Sequence, residues 1–149
     1  MIVAVLPVFL WKTCNRIRTR IRNRVTHSLT GIFEMQFFCQ VETPYCVIKI
    51  SGKITSNDSK LLDDQCQHLL SDPQIQGIIL NLKDTRFIDS TGMATIVFIY
   101  NQVMAFQKKI AVCELDDRCS DLFEITGADQ FLPLFRTESE AVQFMSTSS

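Results

Sequence analysis

Ile78-Ile79-Leu80-Asn81-Leu82-Lys83-Asp84-Thr85-Arg86-Phe87-Ile88-Asp89-Ser90-Thr91-Gly92-Met93-Ala94 decides how this chain is read. Together with Gly77, its first residues form a short continuous apolar run, 77–82, as expected of a central strand covered on both faces. Its end, Asp89-Ser90-Thr91-Gly92, sets two N-cap residue types ahead of a segment, Met93 to Gln107, that is apolar nearly all round. A strand followed by a capped apolar helix forms the start of an α/β unit.

Outward from this junction the periods keep alternating. Before it, residues 36–41 and 45–51 are β-rich runs on either side of Thr43-Pro44, and Gly52 closes the second. Asn57 or Asp58 then caps a helix whose stripe is Leu61, Leu62, Cys66, Leu69 and Leu70, and which stops before Pro73. After it, residues 110–115 predict a strand and 119–126 a short helix. A brief edge strand follows at 131–135 and a last helix at 138–145. The order β-β-α-β-α-β-α-β-α predicts an α/β fold, a mixed central sheet of about five strands with about four helices packed against it.

Composition agrees with one globular domain. The chain has 149 residues, 46% hydrophobic and 21% charged, which excludes disorder throughout and low-complexity classes. Its net charge of −1 conceals an asymmetry. Lys12, Arg16, Arg18, Arg20, Arg22 and Arg24 face a single acid, Glu34, in residues 1–34, whereas 35–149 carries the remaining bases against an excess of acids. The acidic domain argues against nucleic acid as its partner. The six cysteines, 14, 39, 46, 66, 113 and 119, include no C-x-x-C pair and sit mostly in apolar runs, so reduced buried thiols in a cytoplasmic protein are expected. Neither they nor His27 and His68 have metal-ligand spacing, and no metal or cofactor is expected.

Residues 1–34 read as an extension to a domain spanning 35–146, with 147–149 as a tail. Met1 to Trp11 is apolar but interrupted by Pro7, and at eleven residues it is shorter than the about 20 a membrane span needs, so no stable insertion is expected. Arg16 to Val25 carries Arg at every second position, a strand period and not a helical stripe. An apolar anchor beside a basic cluster suits an anionic membrane surface. A mobile tail, or translated sequence upstream of a true start at Met35, are the other readings.

Several chemistries fail on spacing. Gly52-Lys53-Ile54-Thr55 lacks the glycine at position 47 and the Ser/Thr at 54 that a phosphate-binding loop requires. Asp89-Ser90-Thr91-Gly92 has one residue too many for the aspartic-protease signature. Asp63-Asp64 falls in mid-helix and not at the end of a strand, where a phospho-acceptor aspartate would sit. Nothing brings His68 to a serine and an aspartate, so no catalytic residue is assigned.

The run 78–94 closely resembles the STAS domain of bacterial anti-sigma factor antagonists, with its strand, short acidic turn, Phe87-Ile88-Asp89-Ser90-Thr91-Gly92 and helix. Gly52, Cys113-Glu114 and Leu122-Phe123-Glu124-Ile125-Thr126-Gly127 match in order, so the resemblance covers about 36–145. Two departures stand out: Gly52-Lys53-Ile54-Thr55 where the family often has Gly-Glu-Leu-Asp, and Gly92-Met93-Ala94 where it has Gly-Leu-Gly. The resemblance implies a non-enzymatic, phosphorylation-controlled switch. It would bind an anti-sigma factor with serine kinase activity, free a sigma factor, be released by phosphorylation of Ser90 (Thr91 being the rival acceptor) and be reset by a serine phosphatase. Asp89, Ser90, Thr91, Gly92 and Met93 would form the partner surface, with Met93 expected to face a docked partner. STAS domains also serve as non-signalling subunits of lipid or anion transport assemblies, where the junction would be only a docking surface.

Overall fold

A computed structural model describes residues 23–25 and 35–147. The reading of 1–22 and 26–34 lies outside the described residues. A mixed sheet carries the fold, in the order β1 (Asn23–Val25), β2 (Met35–Glu42), β3 (Tyr45–Ile54), β4 (Gly77–Ile88), β5 (Lys109–Cys113) and β6 (Leu134–Phe135). The helices are α1 (Ser59–Leu70), α2 (Ser90–Ala105), α3 (Asp117–Thr126) and α4 (Glu138–Ser146). Strands β2 to β6 with these four helices are the α/β arrangement expected from the periodicity. To them β1 adds a three-residue edge strand drawn from the extension, pairing antiparallel with Phe37–Cys39.

Strand β2 pairs antiparallel with β3, and β3 to β6 run parallel. Because the parallel strands follow one another across the sheet, right-handed crossovers put α1, α2 and α3 on the same face. That face holds the main core, in which Ile48, Ile50, Leu80, Ile96, Ile99 and Phe123 are buried together. Helix α4 covers the other face, packing its Ala141 over Val47, Ile79, Ala111 and Cys113.

Element ends differ from the periodicity where side chains set them. Strand β4 continues six residues past Leu82, because Thr85 and Ile88 still point inward and Ser51–Ile54 extends β3 beside it. Gly52 makes this possible. It adopts φ 91° between two register shifts, a conformation in which a side chain would be strained. Helix α2 begins at Ser90, not Met93, because Asp89 caps it. Helix α3 starts two residues early on Asp116, whose carboxylate accepts from Cys119 N–H at 2.8 Å. Gly127 ends α3 at φ 76°, a single 3₁₀ turn follows at Ala128–Gln130, and the strand expected at 131–135 is reduced to Leu134–Phe135.

Candidate functional site

The strand-to-helix junction is held by three backbone and side-chain bonds around Asp89. Its N–H donates to the Ile54 carbonyl at 3.2 Å, tying the end of β4 to the end of β3. Its carbonyl accepts from Met93 N–H at 2.9 Å, and its Oδ1 accepts from Gly92 N–H at 2.7 Å. Asp89 is thus the N-cap of α2, which satisfies one of the four otherwise unpaired N–H groups at the helix start. Ser90 is then the first helical residue. It is exposed, as is Thr91, and its hydroxyl has no hydrogen-bond partner among the described residues.

The five residues expected at the partner surface divide. Ser90 and Thr91 are exposed and Asp89 is half-buried at their foot. Gly92 is buried: a Cβ there would collide with the Ile54 carbonyl oxygen and stand 3.0 Å from Ile54 Cγ2. Its role is to let α2 approach β3 closely. Met93 is not at the surface, where it was expected to face a docked partner. Only 4% exposed, it belongs to the main core. The reason is helical geometry: Met93 lies three residues before Ile96, on the stripe with Ile99 and Val103 that packs on the sheet.

What surrounds Ser90 at the surface was not read from the sequence. Thr91, Ala94 and Phe98 follow it along the exposed face of α2, and Phe98 is 47% exposed. Phe87, just before the junction, is 50% exposed and sits opposite Lys53 in the β3–β4 register. Helix α2 contains no charged residue at all, and that was the available signal. A helix that is apolar all round but lies on a sheet must expose part of its apolar surface. Nearby, Ser51, Gly52, Lys83, Asp84, Thr85, Arg86 and Asp116 line an open depression of about 500 Å³.

No other constellation gathers at the junction. His68 lies in the last turn of α1. Among the described residues, no group of three His, Cys, Asp or Glu could hold a metal ion. The buried thiols of Cys113 and Cys119 are pushed up to about 12 by burial, the first also by Glu138 and the second also by Asp116.

The STAS domain profile matches residues 38–141, which contain β3 to β6, the junction and the first three helices. The chain belongs to the STAS domain family. This STAS domain is 24% identical over 96 residues to an anti-sigma F factor antagonist of Paenibacillus polymyxa, covering 64% of this chain and 82% of the relative. In fold it is similar to an anti-sigma factor antagonist of Mycobacterium paratuberculosis, with a TM-score of 0.69 and 17% identity over 76% of this chain and 95% of that one. It is also similar to the Bacillus cell fate determinant SpoIIAA in its phosphorylated form, with a TM-score of 0.59 and 17% identity over 72% and 97%. At these identities the two solved structures establish the fold of the STAS domain and nothing finer.

Proposed function

We propose that this STAS domain is an anti-sigma factor antagonist that works as a protein–protein switch. It binds an anti-sigma factor with serine kinase activity, so freeing a sigma factor, and phosphorylation of Ser90 releases it until a serine phosphatase restores it. The observation that carries this reading is the exposed Ser90 hydroxyl, without a hydrogen-bond partner among the described residues, at the head of an uncharged face, Thr91, Ala94 and Phe98. The name of the Paenibacillus relative supports the antagonist role. The phosphorylated form of SpoIIAA shows that a protein of this fold takes a phosphate.

The physics fits a switch. A phosphate at Ser90 would add a charge of about −2 beside Asp89 and next to apolar surface, so a docked partner would meet like-charge repulsion and a desolvation cost. The fold itself would bear the modification, because the phosphate would sit at the N-terminus of a sixteen-residue helix, where the dipole and N–H groups favour an anion. Loss of binding without loss of folding is what a reversible switch needs.

The test uses the chain with a recombinant anti-sigma factor kinase from the same genome. Incubation with ATP should place phosphate on residue 90 by mass spectrometry. Ser90→Ala should bind the kinase and resist release by ATP. Ser90→Asp should bind at least about tenfold more weakly, or about 1.4 kcal/mol, with unchanged thermal unfolding. Phosphate on Thr91 alone would refute the Ser90 assignment. No phosphate with a kinase that binds would refute the switch and leave the junction as a docking surface only.

A further inference from the structure

The covered side of α2 is marked by Met93, Ile96, Ile99 and Val103. Val97, Tyr100 and Met104 stand at i, i+3 and i+7 and so share one flank of the helix. That flank looks toward the connection between α3 and β6, because the Tyr100 and Phe131 rings meet with centroids 5.0 Å apart and planes tilted by 53°. Tyr100 packs against the main core and holds Phe131 in place, yet Phe131 stays 43% exposed. Met104, one turn beyond Tyr100, is 42% exposed, and Ile125, in the last turn of α3, is 82% exposed. Single exposed apolar residues are ordinary on a protein surface. Several on adjoining elements, beside a helix without a charged residue, mark a face that meets another molecule.

The charges beside this face are nearly all of one sign. From Asp116 to Phe131 the chain has the acids Asp116, Asp117, Asp121, Glu124 and Asp129 against a single base, Arg118. Two of these acids have local tasks: Asp116 caps α3, and Asp117 lies in its first turn, where the helix dipole favours an anion. Glu124 lies in the last turn, where the dipole favours a base, and no base stands there. It does not serve the helix. Asp121, Glu124 and Asp129 are exposed, and none of the three is in an ion pair among the described residues.

We propose that the flank of α2 and α3 docks a basic amphipathic helix of another protein. Its apolar stripe would cover Met104, Ile125 and Phe131, and its Lys or Arg side chains would meet Asp121, Glu124 and Asp129. The sign of the charge selects this occupant. An anionic membrane or a nucleic acid would be repelled. A second copy of the chain using the same face would set these acids against their own counterparts. A helix suits the surface because its anchors at i, i+3 or i+4 and i+7 can reach apolar side chains offered by two neighbouring helices. The flank begins at Val97, seven residues and about 10 Å along α2 from Ser90, so the proposal does not depend on the phosphorylation reading.

The probe is a fluorescein-labelled peptide of about 18 residues, built from Leu and Lys at helical spacing. Its controls are the same peptide with Glu for Lys, and a Leu–Lys peptide whose order breaks the stripe. In fluorescence anisotropy with the full-length chain, the basic amphipathic peptide should bind, less tightly as salt rises, and both controls at least about tenfold more weakly. Ile125→Ser with Phe131→Ser should weaken binding at least about tenfold, and Glu124→Gln with Asp129→Asn about threefold. Ile125→Ser alone, at a side chain outside the core clusters, should weaken it about threefold with unchanged thermal unfolding, which keeps the test valid if losing the Tyr100–Phe131 contact lowers stability. Amide shifts of the labelled chain should move at 97–104 and 121–131. No binding, equal binding of the acidic peptide, unaffected variants, or shifts centred elsewhere would each overturn the proposal. Self-association that Ile125→Ser abolishes would give the face to a second copy and overturn it equally.

Discussion

Gly92→Ala tests the closest approach in the junction. The added Cβ is directed at the Ile54 carbonyl oxygen, a backbone atom that also accepts from Asp89 N–H at 3.2 Å. It cannot be relieved by a rotamer change, so α2 or the end of β3 must move. Forcing a methyl into a packed site costs about 1–3 kcal/mol, and a weakened Asp89–Ile54 bond about 1 kcal/mol more. Against this, alanine is better than glycine in a helix by about 1 kcal/mol, less in the first turn. The balance is a destabilisation of about 2–3 kcal/mol, which at about 3–4 °C per kcal/mol for a domain of this size lowers Tm by about 6–12 °C. Urea unfolding and a thermal melt monitored by far-UV circular dichroism measure it, with Ser90→Ala as an exposed neighbour expected to be nearly neutral. A Gly92→Ala protein within about 0.5 kcal/mol of the parent would refute the close packing of α2 on β3.

Three further outcomes follow from the same geometry. Met93→Lys places an ammonium in the main core and should destabilise the domain by more than about 3 kcal/mol in urea unfolding, whereas parental stability would return Met93 to the surface. Cys39, Cys46, Cys66, Cys113 and Cys119 are buried, and the thiols of Cys113 and Cys119 are raised to about 12, so at pH 8 these five should react with a thiol reagent only after unfolding. Because the folded pKa of Cys113 and Cys119 lies above the unfolded one, the stability these two lend is complete below about pH 8.5 and declines as pH rises toward 12, which urea midpoints across that range would show. A chain beginning at Met35 loses, among the described residues, the pairing of Asn23–Val25 and should unfold cooperatively with Tm within about 5 °C of full length; loss of cooperativity would mean that the extension is part of the core.

How much of this was legible in the sequence depends on how strongly each residue type fixes its own surroundings. The continuous apolar run at 77–82 announced a strand covered on both faces, and the structure covers it with α2 and α3 on one side and α4 on the other. Strand–helix alternation set the order of elements, and with right-handed crossovers that order determines which helices share a face. Asp89 was readable as a cap because a short carboxylate before an apolar segment has a local task that needs no distant partner. The inward turn of Met93 was not readable. Helix α2 has no charged residue to mark an outside, so only its contact with the sheet decides that Met93 and Ile96 are covered while Ala94 and Phe98 are not. The same holds for Gly92, whose lack of a side chain matters only because Ile54, 38 positions earlier, is brought against it. Local chemistry is written in neighbouring residues; which face is covered, and how closely, depends on the strand that arrives from elsewhere in the chain.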